Sequence, residues 1–480
     1  MRRSLVVGIT SFEAYVPAYR LSRDGISKFW GTRSLGGERA VAKYDEDSLT
    51  MAVAATVGCI KRSPLKVDGV YFASTTLPYQ EKQAAALVAA AADLSREIRT
   101  ADFSDSLRAG TTALNAAFDA VKSGTAENII VAAADFRMGE GKSQFEQLLG
   151  EGAAAIAIGR EDVLASIEGS YSLSSELIDL WRLEGETFTR SWEERFVITE
   201  GYLKTMEQVF SGILKKYRLT PRDFSKVVFS GPDNRSHALL AKQLGFDMGA
   251  QVQDTLFNAI GNTGAAALPM LIVAALEEAN PGDLVLVANY GDGGDAFILK
   301  VTENIRTIKK DQGMKALLAR KIPISYERYL NWRNLMPVHE ISRPPSPPPS
   351  ITCLWRESRN VLALYGTKCR HCGYPQYPAQ RVCANCQTKD QYDDYRFSDK
   401  KGTVVAYTID YLTTNREAPA VVGIVDFEGG GRMMCEITEC EPNQIKVGMR
   451  VEMCFRKIGL KGGFQNYFWK GRPINSGVME

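Results

Sequence analysis

The chain has 480 residues, of which 45% are hydrophobic and 24% are charged, and its formal net charge is +2. This length exceeds one ordinary core and predicts two or three domains, and the composition is typical of a globular protein. The balanced charge gives no broad basic surface for nucleic acid, and no apolar run reaches the roughly 18 residues that span a bilayer. We therefore expect neither a nucleic-acid partner nor a membrane partner.

The first 300 residues alternate apolar runs with long alanine-rich stretches. Residues 1–9 have basic residues before an apolar segment, as a secretory signal does, but that segment is too short for a signal core and predicts a first β-strand. Further strands are predicted over residues 70–74, 129–133, 153–158, 227–230, 284–288 and 296–299. Buried strands that alternate with helices predict an α/β domain.

Two parts of this region follow the same order of elements. Residues 110–114 begin a helix that leads to the strand at 129–133, and residues 264–268 begin a helix that leads to the strand at 284–288. Each part then returns through a glycine-rich turn into another strand. The repeat predicts a duplicated fold, with chance similarity between alanine-rich helices as the alternative.

A proline-rich segment, residues 341–350, separates this region from the rest of the chain. Its prolines favour an extended linker, and a ligand for an aromatic-lined groove is the alternative. Residues 303–340 before it have an amphipathic, helical pattern. The strands predicted after it span residues 402–411, 420–427, 432–437 and 450–457. Short strands at this spacing predict a small β-barrel or sandwich.

The nine cysteines are unevenly distributed, with Cys59 alone in the first 350 residues. This distribution favours a reducing interior, and we expect a cytoplasmic protein. Four others form two C-x-x-C pairs, Cys369 with Cys372 and Cys383 with Cys386. Two such pairs supply four thiolates to one tetrahedral ion and leave no open position, which predicts structural zinc. A redox dithiol and a rubredoxin-like iron site are the alternatives.

Residues 37–52, GERAVAKYDEDSLTMA, resemble an early signature of the 3-hydroxy-3-methylglutaryl-CoA synthase family, a branch of the thiolase superfamily. Further matching segments are residues 78–82, 108–111, 150–153 and 260–263. The resemblance covers roughly residues 5–300 and implies a duplicated thiolase-type fold, a CoA thioester as substrate and a homodimer. The rest of the chain, from residue 353, is similar to the zinc-ribbon and OB-fold proteins that accompany thiolase-type enzymes.

The expected fold class is therefore α/β, with a duplicated thiolase-type fold followed by a zinc ribbon and an OB-fold β-barrel. The expected domains are residues 1–165 and 166–302 for the thiolase-like halves, 303–352 for the helical region and linker, 353–395 for the zinc ribbon, and 396–480 for the OB-fold.

The C-terminal segment interleaves basic and aromatic residues. The basic residues are Arg450, Arg456, Lys457, Lys461 and Lys470, and the aromatic residues are Phe455, Phe464, Tyr467, Phe468 and Trp469. Such interleaving can stack nucleic-acid bases. Beside a CoA-type domain, we expect this segment to pack on a partner or on the adenine of CoA instead.

The family's synthases use a glutamate, a cysteine nucleophile and a histidine. The matching motifs place these three at Thr75, Leu107 and Ser230 in this sequence, so all three are replaced. Leucine cannot form the thioester of an acyl-enzyme. Cys59 lies in the helix that follows Asp47, where we expect a small buried hydrophobe rather than a substitute nucleophile.

Five other residues at strand ends and helix starts are candidate catalytic groups. They are Asp105, Ser106, Asp233, His237 and Asn262. The resemblance implies that Asn262 keeps the family's hydrogen-bond donor. Asp105 is equally explained as a helix cap, Asp233 as a turn residue and His237 as a packed ring.

These residues favour an enzyme that forms or cleaves a carbon–carbon bond in an acyl-CoA by aldol or retro-aldol chemistry, which needs a base and donors to an enolate oxygen but no acyl-enzyme. One alternative is a Claisen-type synthase-like condensing enzyme or acyltransferase. Another is a non-catalytic scaffold for a partner thiolase.

Overall fold

The computed structural model describes residues 6–308, 313–339, 349–413 and 416–474. The chain forms two compact units. Unit 1 comprises Met1–Ala42, Asp47–Ala89 and Ser95–Tyr326, and unit 2 comprises Lys43–Glu46, Ala90–Leu94 and Glu327–Glu480. The predicted proline-rich linker lies, except for its last two residues, outside the described residues. Among the residues described, no helix is both long and apolar enough to cross a membrane.

Unit 1 contains fourteen strands and eleven α-helices within its described residues. The strands are β1 (Gly8–Tyr15), β2 (Tyr19–Ser22), β3 (Glu38–Val41), β4 (Gly69–Ala73), β5 (Arg99–Phe103), β6 (Ile129–Asp135), β7 (Gly152–Gly159), β8 (Ala165–Ser174), β9 (Leu180–Trp181), β10 (Arg190–Ser191), β11 (Lys226–Phe229), β12 (Leu284–Tyr290), β13 (Gly293–Val301) and β14 (Ile322–Ile324). The helices are α1 (Arg23–Trp30), α2 (Ser48–Arg62), α3 (Ala84–Ala91), α4 (Ala109–Ser123), α5 (Gln144–Leu148), α6 (Glu194–Phe196), α7 (Lys204–Tyr217), α8 (Asn234–Gln243), α9 (Phe257–Ile260), α10 (Ala267–Glu278) and α11 (Met314–Ala319).

A nine-stranded sheet in the order β11-β12-β13-β8-β1-β7-β6-β4-β5 confirms the duplication predicted from the sequence. The first half has the order β5-β4-β6-β7-β1, and the second has β11-β12-β13-β8, with Val252 bridging β11 in the place that β5 takes beside β4. Strand directions also correspond, because β4–β6 and β11–β12 are parallel while β6–β7 and β12–β13 are antiparallel.

Small residues let α4 of the first half approach the turn before α10 of the second half closely. Strands β6 and β7 are buried along their whole length and are rich in alanine. A Cβ added to Gly110 of α4 would lie 2.7 Å from the carbonyl oxygen of Ala265, at the turn that leads into α10. That distance is shorter than van der Waals contact, so only glycine fits this approach.

The helical prediction for residues 303–340 is wrong in part. The segment contains the short helix α11, but Ile322–Ile324 forms β14, which pairs in parallel with β2 at Tyr19–Leu21. A strand of only three residues is too short for its pattern of apolar residues to distinguish it from a helix in the sequence.

Unit 2 contains three helices and eight strands within its described residues. The helices are α12 (Tyr326–Trp332, whose first residue belongs to unit 1), α13 (Ile351–Arg356) and α14 (Ser358–Leu362). The strands are β15 (Tyr365–Cys369), β16 (Pro375–Gln376), β17 (Tyr392–Arg396), β18 (Lys401–Asp410), β19 (Ala420–Phe427), β20 (Arg432–Glu436), β21 (Arg450–Lys461) and β22 (Phe464–Pro473).

The last five strands form a small barrel. They pair antiparallel in the order β20-β19-β18-β21-β22. A parallel bridge between Ile437 and Gly471 joins the end of β20 to β22, so the two outer strands meet. Closure of the sheet on itself confirms the predicted β-barrel.

Five of the ten basic and aromatic residues of the C-terminal segment lie in the interior of unit 2. Phe455, Tyr467 and Trp469 are buried, and the rings of Phe455 and Tyr467 stack with centroids 5.6 Å apart. Arg456 and Lys470 are buried as well. This corrects the expectation that these five residues pack on a partner or on adenine.

A cluster of buried charges in unit 2 surrounds Asp45. The Lys470 ammonium lies 2.9 Å from Asp45 Oδ2, and the Arg456 guanidinium lies 3.3 Å from Glu46 Oε1 and also pairs with Glu439. All five side chains are almost fully buried. Buried charges of this kind are tolerated only because each has an opposite partner.

We predict that Asp45→Asn lowers the free energy of unfolding of the full-length protein by about 3 kcal/mol, because it leaves Lys470 and Arg456 with one fewer buried anion. Urea unfolding followed by circular dichroism measures this difference. The matched control is Asp426→Asn, which breaks an exposed pair with Arg432 and should cost less than about 0.5 kcal/mol. Equal losses in the two variants would contradict the prediction.

The same carboxylate predicts a dependence of stability on pH. Burial by itself raises the pKa of Asp45, but the charges of Lys470, Lys43 and Arg456 outweigh burial and hold that pKa well below its usual range. Its contribution is therefore complete above the unfolded pKa, near 3.9, and is lost as the pH falls through the lower folded pKa. Acid titration should show a smaller loss of stability below about pH 4 in Asp45→Asn than in the unmodified protein.

Candidate functional site

The candidate site lies where β5 turns into α4. Asp105 has a φ of 68°, which reverses the chain after the strand and places Leu107 just before the first turn of the helix. Gly291, between β12 and β13, lies against this turn. A Cβ at Gly291 would stand 2.8 Å from the Arg108 amide nitrogen and 3.1 Å from Leu107 Cβ, so glycine is needed for the contact.

Two adjoining cavities meet at Leu107. One has a volume of about 290 Å³ and includes Ser230 and Asn262 in its lining. The other has a volume of about 180 Å³ and includes Thr75 and Asp105. The residues common to both linings are Leu107, Arg137, Asp179 and Leu180. The fold therefore gathers segments from both halves of the duplication around one point.

The three positions predicted to be replaced line these cavities and take part in hydrogen bonds within the fold. Thr75 Oγ1 donates to Asp135 Oδ2 at 2.9 Å. Ser230 Oγ donates to Asn289 Oδ1, and Asn289 Nδ2 donates to the carbonyl oxygen of Leu107 at 3.1 Å. The side chain of Leu107 offers no heteroatom. These positions thus supply neither a thiol nucleophile nor an imidazole base.

Asn262 lines the larger cavity, and both ends of its amide are fixed. Its Nδ2 donates to the Gly231 carbonyl oxygen at 3.0 Å, and its Oδ1 accepts from Arg137 Nη2 and from the Gly264 amide, each at 2.9 Å. An amide NH₂ group has two hydrogens. One N–H of Asn262 therefore makes no hydrogen bond among the described residues, and the donor role of this residue stays a prediction.

The structure brings three other predicted residues to the cavities. Asp105 and Ser106 line the smaller cavity. Asp233 lines the larger one and also caps α8, accepting from the Ser236 amide at 2.9 Å and from its hydroxyl at 2.7 Å. The capping interpretation, weighed for Asp105, applies instead to Asp233.

His237 is not brought to either cavity. Its ring stacks on Phe229 with centroids 3.9 Å apart, and it borders a separate cleft near α10. Burial lowers the pKa of His237 to about 4, so the ring is neutral at pH 7. This is the packed histidine that was weighed as the alternative in the sequence.

Asp179 is a candidate base that the sequence did not reveal. It is buried at the junction of the two cavities, where Oδ2 accepts from the Tyr290 hydroxyl at 2.6 Å and Oδ1 accepts from the Leu180 amide at 2.6 Å. Burial raises the pKa of Asp179. No sequence signal marks it, because it precedes the two-residue strand β9 in a segment without hydrophobic periodicity.

Arg137 is the cation that lines both cavities, and it too was missed. Its side chain is buried, with Nε 3.8 Å from Asp135 Oδ2 and Nη2 bonded to Asn262. A guanidinium stays charged even when buried. Arg137 and Asn262 together therefore form a hydrogen-bonded polar pair in the lining of the larger cavity.

The second candidate site is the four-cysteine cluster of unit 2. The sulfur atoms of Cys369, Cys372, Cys383 and Cys386 all lie within 4.8 Å of one another. Two of the distances are 3.6 Å, Cys369 to Cys386, and 3.5 Å, Cys372 to Cys383. Zinc–thiolate bonds of about 2.3 Å put the sulfurs of a tetrahedron about 3.8 Å apart, so these residues fit a zinc ion.

Three family models match parts of the chain. Residues 214–300 match the 3-oxoacyl-[acyl-carrier-protein] synthase III C-terminal domain. Residues 356–390 match the rubredoxin-like zinc ribbon domain of ChsH2, and residues 395–456 match its C-terminal OB-fold domain. These matches confirm the zinc-ribbon and OB-fold predictions and, with the four-sulfur geometry, confirm zinc as the metal.

Curated relatives align with about two thirds of the chain. The hydroxymethylglutaryl-CoA synthase of Methanopyrus kandleri is 32% identical in an alignment of 337 positions that covers 67% of this chain and 96% of that protein. That of Methanosarcina mazei is 32% identical in an alignment of 340 positions that covers 68% of this chain and 97% of that protein. The chain belongs to the hydroxymethylglutaryl-CoA synthase family.

Solved structures of other proteins have the same fold as this chain. MvaS in complex with 3-hydroxy-3-methylglutaryl coenzyme A has a TM-score of 0.63 at 20% identity, covering 71% of this chain and 95% of that one. The 3-oxoacyl-[acyl-carrier-protein] synthase III of Aquifex aeolicus has a TM-score of 0.55 at 24% identity, covering 61% of this chain and 99% of that one. The thiolase-type fold is thus confirmed.

We predict that Cys383→Ser reduces bound zinc from about one ion per chain to nearly none, because three thiolates bind the ion far more weakly than four. Elemental mass spectrometry of the purified full-length protein measures both zinc and iron. Cys353→Ser is the matched control, since Cys353 is exposed and lies outside the cluster. Full zinc content in Cys383→Ser, or iron in place of zinc, would refute this assignment.

Proposed function

We propose that this chain is a condensing-type enzyme that makes or breaks a carbon–carbon bond in an acyl-CoA thioester at the Leu107 cavities, without a cysteine acyl-enzyme. Membership of the hydroxymethylglutaryl-CoA synthase family supports an enzyme that handles acyl-CoA. Between the two enzyme hypotheses, the relatives favour the Claisen-type synthase-like alternative over aldol or retro-aldol chemistry as the reaction class. The residues of the site support the more specific part of the proposal, which is that no cysteine acyl-enzyme forms.

The single observation that carries the finer proposal is the leucine at the nucleophile position. Its side chain faces both cavities and cannot accept an acyl group. Cys59 does not replace it, because that side chain is fully buried in α2 and lines neither cavity. Burial also raises the pKa of Cys59 to about 12, which leaves almost no thiolate at pH 7.

Chemistry without an acyl-enzyme needs a base and a stabilised enolate. The Asp179 carboxylate would remove a proton from the carbon next to the thioester carbonyl, and its raised pKa brings it closer to the working pH. The enolate oxygen would accept from the free N–H of Asn262, and the positive charge of Arg137 would stabilise it. The enolate carbon would then add to a second carbonyl, and the alkoxide so formed would recover the proton from Asp179. The reverse sequence cleaves the same bond.

Other features of the proposal concern assembly. The β5 strand ends the sheet order, and an edge strand of this kind offers unpaired backbone groups to a second copy, which supports a homodimer. The scaffold role for a partner thiolase, the domain boundaries and a cytoplasmic location stay predictions. Equilibrium sedimentation of the purified protein measures the mass of the assembly directly.

We predict that incubation of the unmodified protein with acetyl-CoA produces no acylated protein, whereas Leu107→Cys gains one acyl group. A thiol at this position would lie at the start of α4, where the helix dipole favours the reactive thiolate. Intact-protein mass spectrometry at acid pH detects the adduct. An adduct on the unmodified protein that disappears in Cys59→Ser would support the acyl-enzyme alternative instead.

We predict that Asp179→Asn lowers kcat at least roughly 100-fold for whichever acyl-CoA is turned over, because it removes the base, while binding is retained. Tyr290→Phe should shift the acidic limb of the kcat/KM profile to higher pH. The Tyr290 hydroxyl bond lowers the pKa of Asp179 against the effect of burial, so its removal raises that pKa and the base stays protonated to higher pH.

The control for the pH profile is Tyr217→Phe, whose hydroxyl bonds to Ser170 in the sheet and lies outside both cavities. It should leave the profile unchanged. An Asp179→Asn variant with unchanged kcat, or a Tyr290→Phe profile that moves to lower pH, would eliminate Asp179 as the base.

A further inference from the structure

The larger cavity has a wall of apolar side chains from two neighbouring segments. One segment is α5 with the residue that follows it, and the other is a π-helical stretch, Val197–Leu203, between α6 and α7. The residues that they contribute to the wall are Phe145, Leu148, Leu149, Val197, Ile198 and Tyr202. Wider π-helical turns are commonly found at functional sites.

This wall is incompletely covered by the protein itself. Phe145, Leu148 and Ile198 are only partly buried although they face into a cavity. Trp192, at the same cavity, is 67% exposed. A ligand that covers apolar surface left open in this way is bound more tightly, because covering removes that surface from water.

The volume of the cavity sets the size of the group that can cover the wall. It is about 290 Å³. An apolar protein cavity of roughly 150 Å³ holds one benzene molecule. The larger cavity therefore has room for more than one six-membered ring. An acetyl group would fill only a small part of it.

The charges around the cavity determine the polarity of that group. Its lining carries three carboxylates, Asp179, Asp233 and Glu194, against one cation, Arg137. That cation already faces the Asp135 carboxylate and bonds to the amide of Asn262. An acyl group with a carboxylate at its far end would meet repulsion here rather than a free partner.

We propose that the acyl group of the substrate is a bulky, uncharged hydrocarbon body, cyclic or branched, that packs on this wall between α5 and the π-helical stretch. This inference rests on the proposed function, since it names the class of acyl-CoA that the same site takes. Carboxylated and short acyl groups are excluded from tight binding by charge and by unfilled volume.

Isothermal titration of the full-length protein with a panel of CoA compounds tests the proposal. The panel is free CoA, acetyl-CoA, 3-hydroxy-3-methylglutaryl-CoA and cyclohexanecarbonyl-CoA. Because its ring covers several more CH₂ groups, the cyclohexanecarbonyl thioester should bind at least roughly 30-fold more tightly than acetyl-CoA. The carboxylated thioester should bind no more tightly than acetyl-CoA.

Variants of the wall residues test whether the preference for cyclohexanecarbonyl-CoA arises from contacts with the proposed wall. Phe145→Ala and Ile198→Ala should each weaken cyclohexanecarbonyl-CoA binding roughly 10-fold and leave free CoA unchanged. The matched control is Phe196→Ala, because Phe196 lies beside the π-helical stretch but does not line the cavity. Its affinities should equal those of the unmodified protein.

The outcomes separate this inference from the proposed function. If free CoA and every thioester fail to bind, the proposed function fails and the inference fails with it. If all thioesters bind equally, or the carboxylated one binds most tightly, the inference is overturned while acyl-CoA binding stands. A preference for the cyclohexanecarbonyl thioester that survives in both wall variants would also overturn the assignment of the wall.

Discussion

The carboxylate of Asp135 is the interaction on which the geometry of the candidate site depends. It stands at the end of β6, fully buried, and accepts from the Ser74 hydroxyl, the Thr75 amide and hydroxyl, and the Ala265 amide. One anion thereby fixes a loop of the first half to the turn that begins α10 in the second. Arg137, 3.8 Å away, balances its charge. Because a buried carboxylate must be satisfied, these segments have one arrangement.

Within that frame, the side chains at two of the three positions predicted to be replaced form hydrogen bonds to neighbouring segments. Ser230 and Asn289 form a short chain of hydrogen bonds to the backbone of Leu107. Leu107 adds apolar surface to both cavities and offers no nucleophilic atom of its own. In the proposed mechanism, proton transfer depends on Asp179, whose pKa is raised by burial and lowered by the hydrogen bond from the Tyr290 hydroxyl. The proposal attributes the loss of a covalent step and the more apolar pocket to the same leucine.

Unit 2 is stabilised by two different devices, each suited to a small domain. In the ribbon, whose sheet has three short strands, four cysteine sulfurs lie close enough together to bind one zinc ion. In the barrel, the buried charges of Asp45, Arg456 and Lys470 neutralise one another. Because the residues of this cluster lie far apart in sequence, unit 2 is incomplete without residues 43–46.

The sequence by itself determined the features that rest on local pattern or fixed spacing. These are seven of the nine strands of the duplicated sheet, four of the five barrel strands and the C-x-x-C pairs of the zinc site, whereas β5, β8 and β22 were not predicted. The motifs also supply the predicted positions of Leu107 and Asn262. Tertiary structure alone decided which side chains share a cavity. Asp179 and Arg137 reach Leu107 from separate segments, and His237 turns away to stack on Phe229. Hydrophobic periodicity shows which face of a helix or strand is buried. A site depends instead on where the ends of distant helices and strands lie in space, and no local sequence pattern determines those positions.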